Sequence, residues 1–308
     1  MRQKKPILVS VCMIAYQVAH YIEEAINGVL MQECDFEVEL IISNDNSSDG
    51  TESVILEAIE KHPRGNWIKY FKHDKNLGML PNYLWTFNKC QGKYISICDS
   101  DDYWVDPLKL QKQVSFLENN ENYVLSFHDA FLVNGEGEKI QNSTGDEIKR
   151  DISFEDLTKV VFPIPTASVV FRNDLDLKFP KEYLEGTNHD TFLFVLLAQF
   201  GKFHFNEHVS PSAYRIHEKG TWNRRSRMEK SLHSVETFEN ICKVFPKETG
   251  FKIMLFEFKN HAFINALNEK KYKTFAKYYL SNFFESFTSK TLSVNFWSLH
   301  KKVILNKF

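Results

Sequence analysis

The densest run of reactive side chains is Asp99-Ser100-Asp101-Asp102, three carboxylates in four residues. It directly follows the apolar run Tyr94 to Cys98 and precedes Tyr103-Trp104. Carboxylates crowded at the end of a buried strand repel one another and lose hydration, so something cationic must offset them. Hard oxygen donors suit Mg2+ or Mn2+, which take one or two carboxylates and complete their shell with phosphate and water. The bland alternative is a solvated turn capping the helix that Asp106-Pro107 opens. The position after a buried strand favours the metal, with Asp101 and Asp102 ahead of Asp99.

Two other polar segments follow apolar runs. Ala15-Tyr16-Gln17 ends the stretch that begins at Ile7, and Asn44-Asp45-Asn46-Ser47 ends Val38 to Ser43. Ligands of open parallel sheets collect beyond the carboxyl ends of the strands, so the three segments would share one crevice. Tyr16 could equally be a packed aromatic, and Asp45 an Asx turn with Ser47 and Ser48. Lys75 and Asn76 precede Gly78, a residue that permits close backbone passage.

The elements that must position these groups alternate short apolar runs with amphipathic stretches, the pattern of a mostly parallel sheet flanked by helices. Strands are predicted at Ile7 to Ala15, Val38 to Ser43, Trp67 to Phe71, Tyr94 to Cys98, Tyr123 to Asn134, Pro165 to Phe171 and Ala213 to His217. Helices are predicted at Tyr21 to Met31, from near Asp49, at Pro81 to Lys89, from Asp106 and at Asp190 to Phe200. Gly135 to Asp151 reads as a loop. Past Arg224 lysine, phenylalanine and tyrosine dominate at helical spacing, which sets a domain boundary near residue 225.

The 308 residues are 43% hydrophobic and 25% charged, which excludes disorder over most of the chain. Five scattered cysteines with no CxxC pair give neither a disulfide framework nor a zinc knuckle, and fit a reducing cytoplasm. Met1 to Lys5 shows no secretory leader, and no apolar run approaches the roughly 20 residues needed to cross a bilayer. The net charge is -2, yet from Arg224 onward 16 Lys and Arg stand against 7 Asp and Glu. That asymmetry fits either a solvated helical face or a basic tail near an anionic surface at the inner face of the cell membrane. The basic residues belong to no groove-reading module, so nucleic acid is not expected as a partner.

The pieces "VSVCMIAYQ", "ELIISNDNSSDGT", "NLGMLPN", "GKYISICDSDDYW" and "YRIH" occur in an order that resembles the glycosyltransferase family 2 enzymes of the bacterial surface-polysaccharide type. They span about two thirds of the chain, from Pro6 to Trp222. The resemblance implies an α/β GT-A fold with a helical C-terminal extension: a catalytic domain over 1–224, with a nucleotide half at about 6–132 and an acceptor half at 133–224, then 225–308. It implies a nucleotide-sugar donor, a UDP-sugar by expectation, a glycan or lipid-linked saccharide acceptor, inversion, and Mn2+ or Mg2+. Tyr16 would stack on the base, Asp45 accept from the base amide, Asp99 lie near the ribose, and Asp101 and Asp102 hold metal and diphosphate. Lys75, Asn76 and Asn82 would approach the nucleotide, with Asn82 a surface side chain in the alternative. Asp190, in "EGTNHDTFLF", would be the general base and otherwise a helix cap, with His189 beside it. His217 would complete the metal shell or touch the diphosphate; Arg215 would brace the diphosphate or form a structural ion pair. Ile14, Ala15 and Gln17 depart from the proline, threonine and asparagine frequent in the family, and Asn44 replaces the first of two aspartates.

Trp104 and Trp222 offer faces for sugar stacking, although core packing is the commoner use. Phe251, Leu255, Phe256, Phe263 and Ile264, then Tyr278, Tyr279, Phe283, Phe284 and Trp297, would pack on the catalytic domain, on a homodimer partner or on a membrane. Two other functions stay open: nucleotidyl transfer to a sugar phosphate, against which the lack of a glycine-rich basic loop after the first strand argues, and a non-catalytic sugar-nucleotide binding or scaffold protein.

Overall fold

The computed structural model describes residues 7–143, 145–218, 220, 222, 224–288, 292, 293, 296–298 and 300. Met1 to Lys5, read above for a leader, lie outside them. Chain contacts divide into two units: one of residues up to Phe154, Phe162–Leu177 and Leu196–His217, the other of Glu155–Val161, Lys178–Val195 and the described residues from Glu218 on.

Among the described residues, the first unit is built on ten strands and four helices. In chain order these are β1 (Ile7–Ala15), α1 (Ile22–Leu30), β2 (Glu37–Asn44), α2 (Thr51–Lys61), β3 (Ile68–Lys72), α3 (Met79–Phe87), β4 (Tyr94–Ile97), α4 (Lys109–Asn119), β5 (Tyr123–Phe127), β6 (Ala130–Val133), β7 (Lys139–Gln141), β8 (Val170–Arg172), β9 (Lys202–Phe205) and β10 (Ser212–Arg215). Seven strands form one sheet in the order β3-β2-β1-β4-β8-β5-β9, and three form a second, β10-β6-β7. β1 runs parallel to β2 and β4, and β2 parallel to β3, while β8 runs antiparallel to both neighbours. This is the mixed, mostly parallel sheet that the sequence implies.

One face of β1 and β2 is apolar, with Val9, Val11, Met13, Leu40 and Ile42 all fully buried, while the other sets buried Ser10, Glu39 and Ser43 beside Cys12 and Ile41. α1 meets them with Ile22, Ala25, Ile26, Val29 and Leu30, spaced three or four apart on one side. Gly28 lies so close to the Trp104 backbone that an added Cβ would come within 2.8 Å of its nitrogen. Parallel pairing places the carboxyl ends of β2, β1 and β4 on one edge of the sheet, which is where Asn44, Ala15 and Cys98 lead into their polar segments.

Three sequence expectations change. Tyr123 to Asn134 is two strands in different sheets, broken where Asp129 Oδ1 accepts the Ala130 N–H at 2.7 Å. The loop from Gly135 includes β7. Pro165 starts a tight turn over Thr166–Ser168, closed by Ser168 Oγ donating to Pro165 O at 2.7 Å, and β8 begins after it. β9 was too short an alternation to read from sequence. α2 starts after left-handed Gly50, because Asp49 reaches across to the Ala19 N–H at 3.1 Å and ties the β1–α1 and β2–α2 turns together.

The second unit contains helices α5 (Phe154–Leu157), α6 (Lys181–Leu184), α7 (His189–Ala198), α8 (Arg227–Val244), α9 (Thr249–Asn268) and α10 (Tyr272–Glu285) in whole or in part. A capping box opens α8: Ser226 Oγ accepts the Glu229 N–H at 3.2 Å and Glu229 accepts the Ser226 N–H at 2.8 Å. Val235, Phe256, Ala262, Phe263, Tyr278 and Phe296 form its core. Helical spacing past Arg224 is therefore matched by three long helices. No helix among the described residues is long and apolar enough to cross a membrane.

Candidate active site

The Asp99–Asp102 segment leaves β4 and turns back, and Tyr103 then bridges to Ala213 of β10 through N–H to O contacts of 3.2 and 2.9 Å. That bridge carries β10 alongside the carboxylates. Thr166 Oγ donates to Asp99 Oδ2 at 2.5 Å, and His217 Nε2 lies 3.0 Å from Asp101 Oδ2. The Arg215 N–H donates to Asp102 Oδ1 at 2.8 Å. Asp102 is 2% exposed, and its Oδ2 is buried without a hydrogen-bond partner. Burial, then the charges of Asp101 and Asp99, push the Asp102 carboxyl well above the usual carboxylate range against the pull of Arg215.

An orphaned buried carboxylate oxygen in a row of like charges is chemistry that suits a cation. His217 Nε2 and Asp101 Oδ2 are themselves at hydrogen-bond distance. Among the described residues no three Asp, Glu, His or Cys groups already converge as a full ligand set.

Arg215 is held in place from all sides. Its Nε donates to Asp101 O at 3.0 Å and its Nη1 to Asn134 O and Gly135 O at 3.3 and 3.2 Å. Its Nη2 pairs with Glu24 of α1, and its guanidinium carbon lies 4.9 Å from the Tyr21 ring centre and 5.4 Å from that of Tyr103. With its side chain 2% exposed, the structure shows the ion-pair alternative weighed for it. Tyr21 also packs on His217, ring centres 4.6 Å apart. Tyr21, Glu24 and Thr166 belong to this cluster without any sequence signal, because contacts between positions so far apart leave no local pattern.

At the neighbouring strand ends, Tyr16 is 53% exposed and its ring remains presented to solvent. Asp45 is buried and its two oxygens accept the Leu77 and Gly78 N–H groups at 2.7 and 2.9 Å. Asn76 Nδ2 donates to Asp45 O at 3.2 Å, and Lys75 beside it is exposed. Gly78 adopts φ 88 and ψ 161, a conformation that glycine alone adopts readily. Asn82 is 1% exposed, not a surface group: Oδ1 accepts Ser43 Oγ at 2.6 Å and sits 3.1 Å from His73 Nε2. It braces the turn from behind. Trp104 is core, donating its Nε1–H to Ala167 O at 2.7 Å, whereas Trp222 in the second unit is 37% exposed.

Asp190 lies in the second unit, exposed in the first turn of α7, with Oδ1 taking the Thr191 N–H at 2.7 Å. His189 is part-buried, which lowers its pKa against the pull of neighbouring Asp190.

The sequence is 34% identical over 163 residues to an uncharacterized protein of Mycobacterium tuberculosis, a match covering 53% of this chain and 46% of that one. The chain thus spans about half the length of that relative. Among solved structures, S. aureus TarS 1–349 in complex with UDP-GlcNAc superposes with TM-score 0.60 at 18% identity, covering 83% of this chain and 73% of that one. Mannosyltransferase PcManGT from Pyrobaculum calidifontis, in complex with GDP-Man and Mn2+, gives TM-score 0.61 at 14% identity, covering 90% and 75%. These likenesses identify the fold as that of GT-A-type glycosyltransferases. The Glycosyl transferase family 2 model matches residues 10–177, more than half of the chain and all of the carboxylate row with its neighbouring strand ends, and the chain belongs to that family.

Proposed function

We propose that the chain transfers a sugar, with inversion, from a nucleotide donor to a glycan or lipid-linked saccharide acceptor, with Mn2+ or Mg2+ at the Asp99–Asp102 segment. The orphaned Asp102 Oδ2, on a carboxyl raised in pKa next to Asp101, which itself meets His217, carries this reading. Asp101, Asp102 and His217 are the residues that would hold the cation. Bound there, it would offset the charge that builds on the departing diphosphate.

The other residues act by position. Arg215 fixes the Asp102 carboxylate through its backbone N–H and the Asp101 main-chain carbonyl through its Nε, so the segment keeps one course before a donor arrives. Tyr16 offers a ring face to the base, and Asp45 holds the turn along which Lys75 and Asn76 approach the nucleotide. Asp99, steadied by Thr166, is placed for the ribose. Asp190 takes the proton of the attacking acceptor hydroxyl as that oxygen bonds to the anomeric carbon. A UDP-sugar is the favoured donor, by the UDP-GlcNAc bound to TarS, with the GDP-mannose bound to PcManGT marking the other base to test.

The test is nucleoside diphosphate release from a panel of UDP- and GDP-sugars with Mn2+, with and without acceptor extracts. Asp190→Asn is expected to abolish transfer while leaving donor binding, and Asp102→Asn to remove both. Turnover unchanged in both variants would overturn the assignment. Donor binding without turnover in the parent would instead favour the non-catalytic sugar-nucleotide binder.

A further inference from the structure

The last long helix has one face locked into its own unit and another left bare. Asn282, fully buried, donates through Nδ2 to Phe256 O at 2.9 Å and Asn260 Oδ1 at 2.7 Å. Tyr278 and Ser286 are buried on the same side, and Lys259 pairs with Glu285. At about 100° per residue, Lys273, Ala276, Lys277, Leu280 and Phe284 fall on the opposite arc of α10, with Phe287 in the turn that follows. All of these are exposed, Leu280 by 51% and Phe284 and Phe287 by 66% each. Trp297, 43% exposed, packs against Phe283 at 6.0 Å between ring centres and extends the same apolar area.

A contiguous apolar patch edged by lysines is an interaction surface, and its charge selects the partner. Lys271, Lys273 and Lys277 lie in and just before the first turns of α10, and its one acidic residue, Glu285, is taken by Lys259. From Arg224 onward the chain carries 16 basic against 7 acidic residues, within a protein of net charge -2, so the remainder repels what this end attracts. A second copy docking by two-fold symmetry would set lysines against lysines. An anionic bilayer satisfies both halves of the face, with apolar side chains at the acyl boundary and lysines against lipid phosphates.

We propose that the exposed face of α10, through Leu280, Phe284, Phe287, Lys273 and Lys277, docks on an anionic lipid surface. The inference is independent of the transferase reading.

Flotation of the 308-residue protein with vesicles of phosphatidylcholine alone, or with about a third phosphatidylglycerol, tests it. Binding is expected only to the anionic vesicles, falling at least tenfold when salt is raised to about 0.5 M. Lys273→Glu with Lys277→Glu should lower it at least tenfold, and Phe284→Ser with Phe287→Ser by a similar factor, each without a change in Tm. Equal partition into both vesicle types, no partition by the parent, or parental binding by the folded lysine variant would overturn the proposal. So would a dimer in light scattering that Phe284→Ser with Phe287→Ser dissolves, since the face would then belong to a second copy.

Discussion

Asp102 carries a structural cost: a buried carboxyl with one oxygen unpaired, in a row of like charges. Its raised pKa means that the folded state holds the Asp102 proton more tightly than the unfolded chain does. Without metal, the contribution of this group to stability therefore falls as pH climbs from the ordinary carboxylate range through the raised value. Asp102→Asn keeps an oxygen for the Arg215 N–H and removes the charge. In EDTA at pH 7.5 its Tm should exceed the parent's by about 2–4 °C, which corresponds to roughly 1 kcal/mol. Mn2+ should raise the Tm of the parent and leave the variant unmoved, in a thermal melt with and without the ion. The carboxylate row was legible because three aspartates after a buried strand break the usual polar and apolar segregation. The clamp around it was not: Glu24 reads as an ordinary acidic residue in a helix's first turn, and nothing local ties it to Arg215.

At the scale of elements, the turn before α3 and the buried side of α4 each carry a testable burden. Gly78→Ala meets no atom within 4 Å of the new Cβ, so its whole cost is the backbone at φ 88. A loss of about 1–3 kcal/mol is expected in urea unfolding, with weaker nucleotide binding because the Asp45 contacts to Leu77 and Gly78 loosen. Lys109, at the start of α4, is fully buried, with Nζ 4.2 Å from the centre of the Trp104 ring and 3.2 Å from Ser96 Oγ. Burial pulls its pKa down to about 7. The unfolded chain then binds more protons than the folded one between about pH 7 and the ordinary lysine value, so the contribution of Lys109 to stability rises with pH across that window. Lys109→Met should flatten the rise, read as the difference between parent and variant urea midpoints at neutral and alkaline pH. The first four strands and their helices were legible because each is a long apolar or amphipathic run. The break at His128-Asp129 and the turn at Pro165 were not, since an Asp side chain bonding its neighbour's N–H and a Ser closing on Pro165 O override strand-forming residues by local hydrogen bonds.

For the molecule as a whole, a family 2 chain combines an acidic α/β unit bearing a row of carboxylates with a basic helical end. The order of its motifs made the fold class legible before any coordinate. Strand β7, at Lys139–Gln141, was not legible because three residues carry no periodicity. The sharpest measurement is the anomalous difference signal from Mn2+ in crystals of the protein grown with UDP. A single strong peak at coordination distance from Asp102 Oδ2, with diphosphate oxygens completing its shell, is the expected result. A bound nucleotide diphosphate with no manganese at the Asp99–Asp102 segment, or with the peak at other residues, would contradict the assignment of these carboxylates as the metal and diphosphate site.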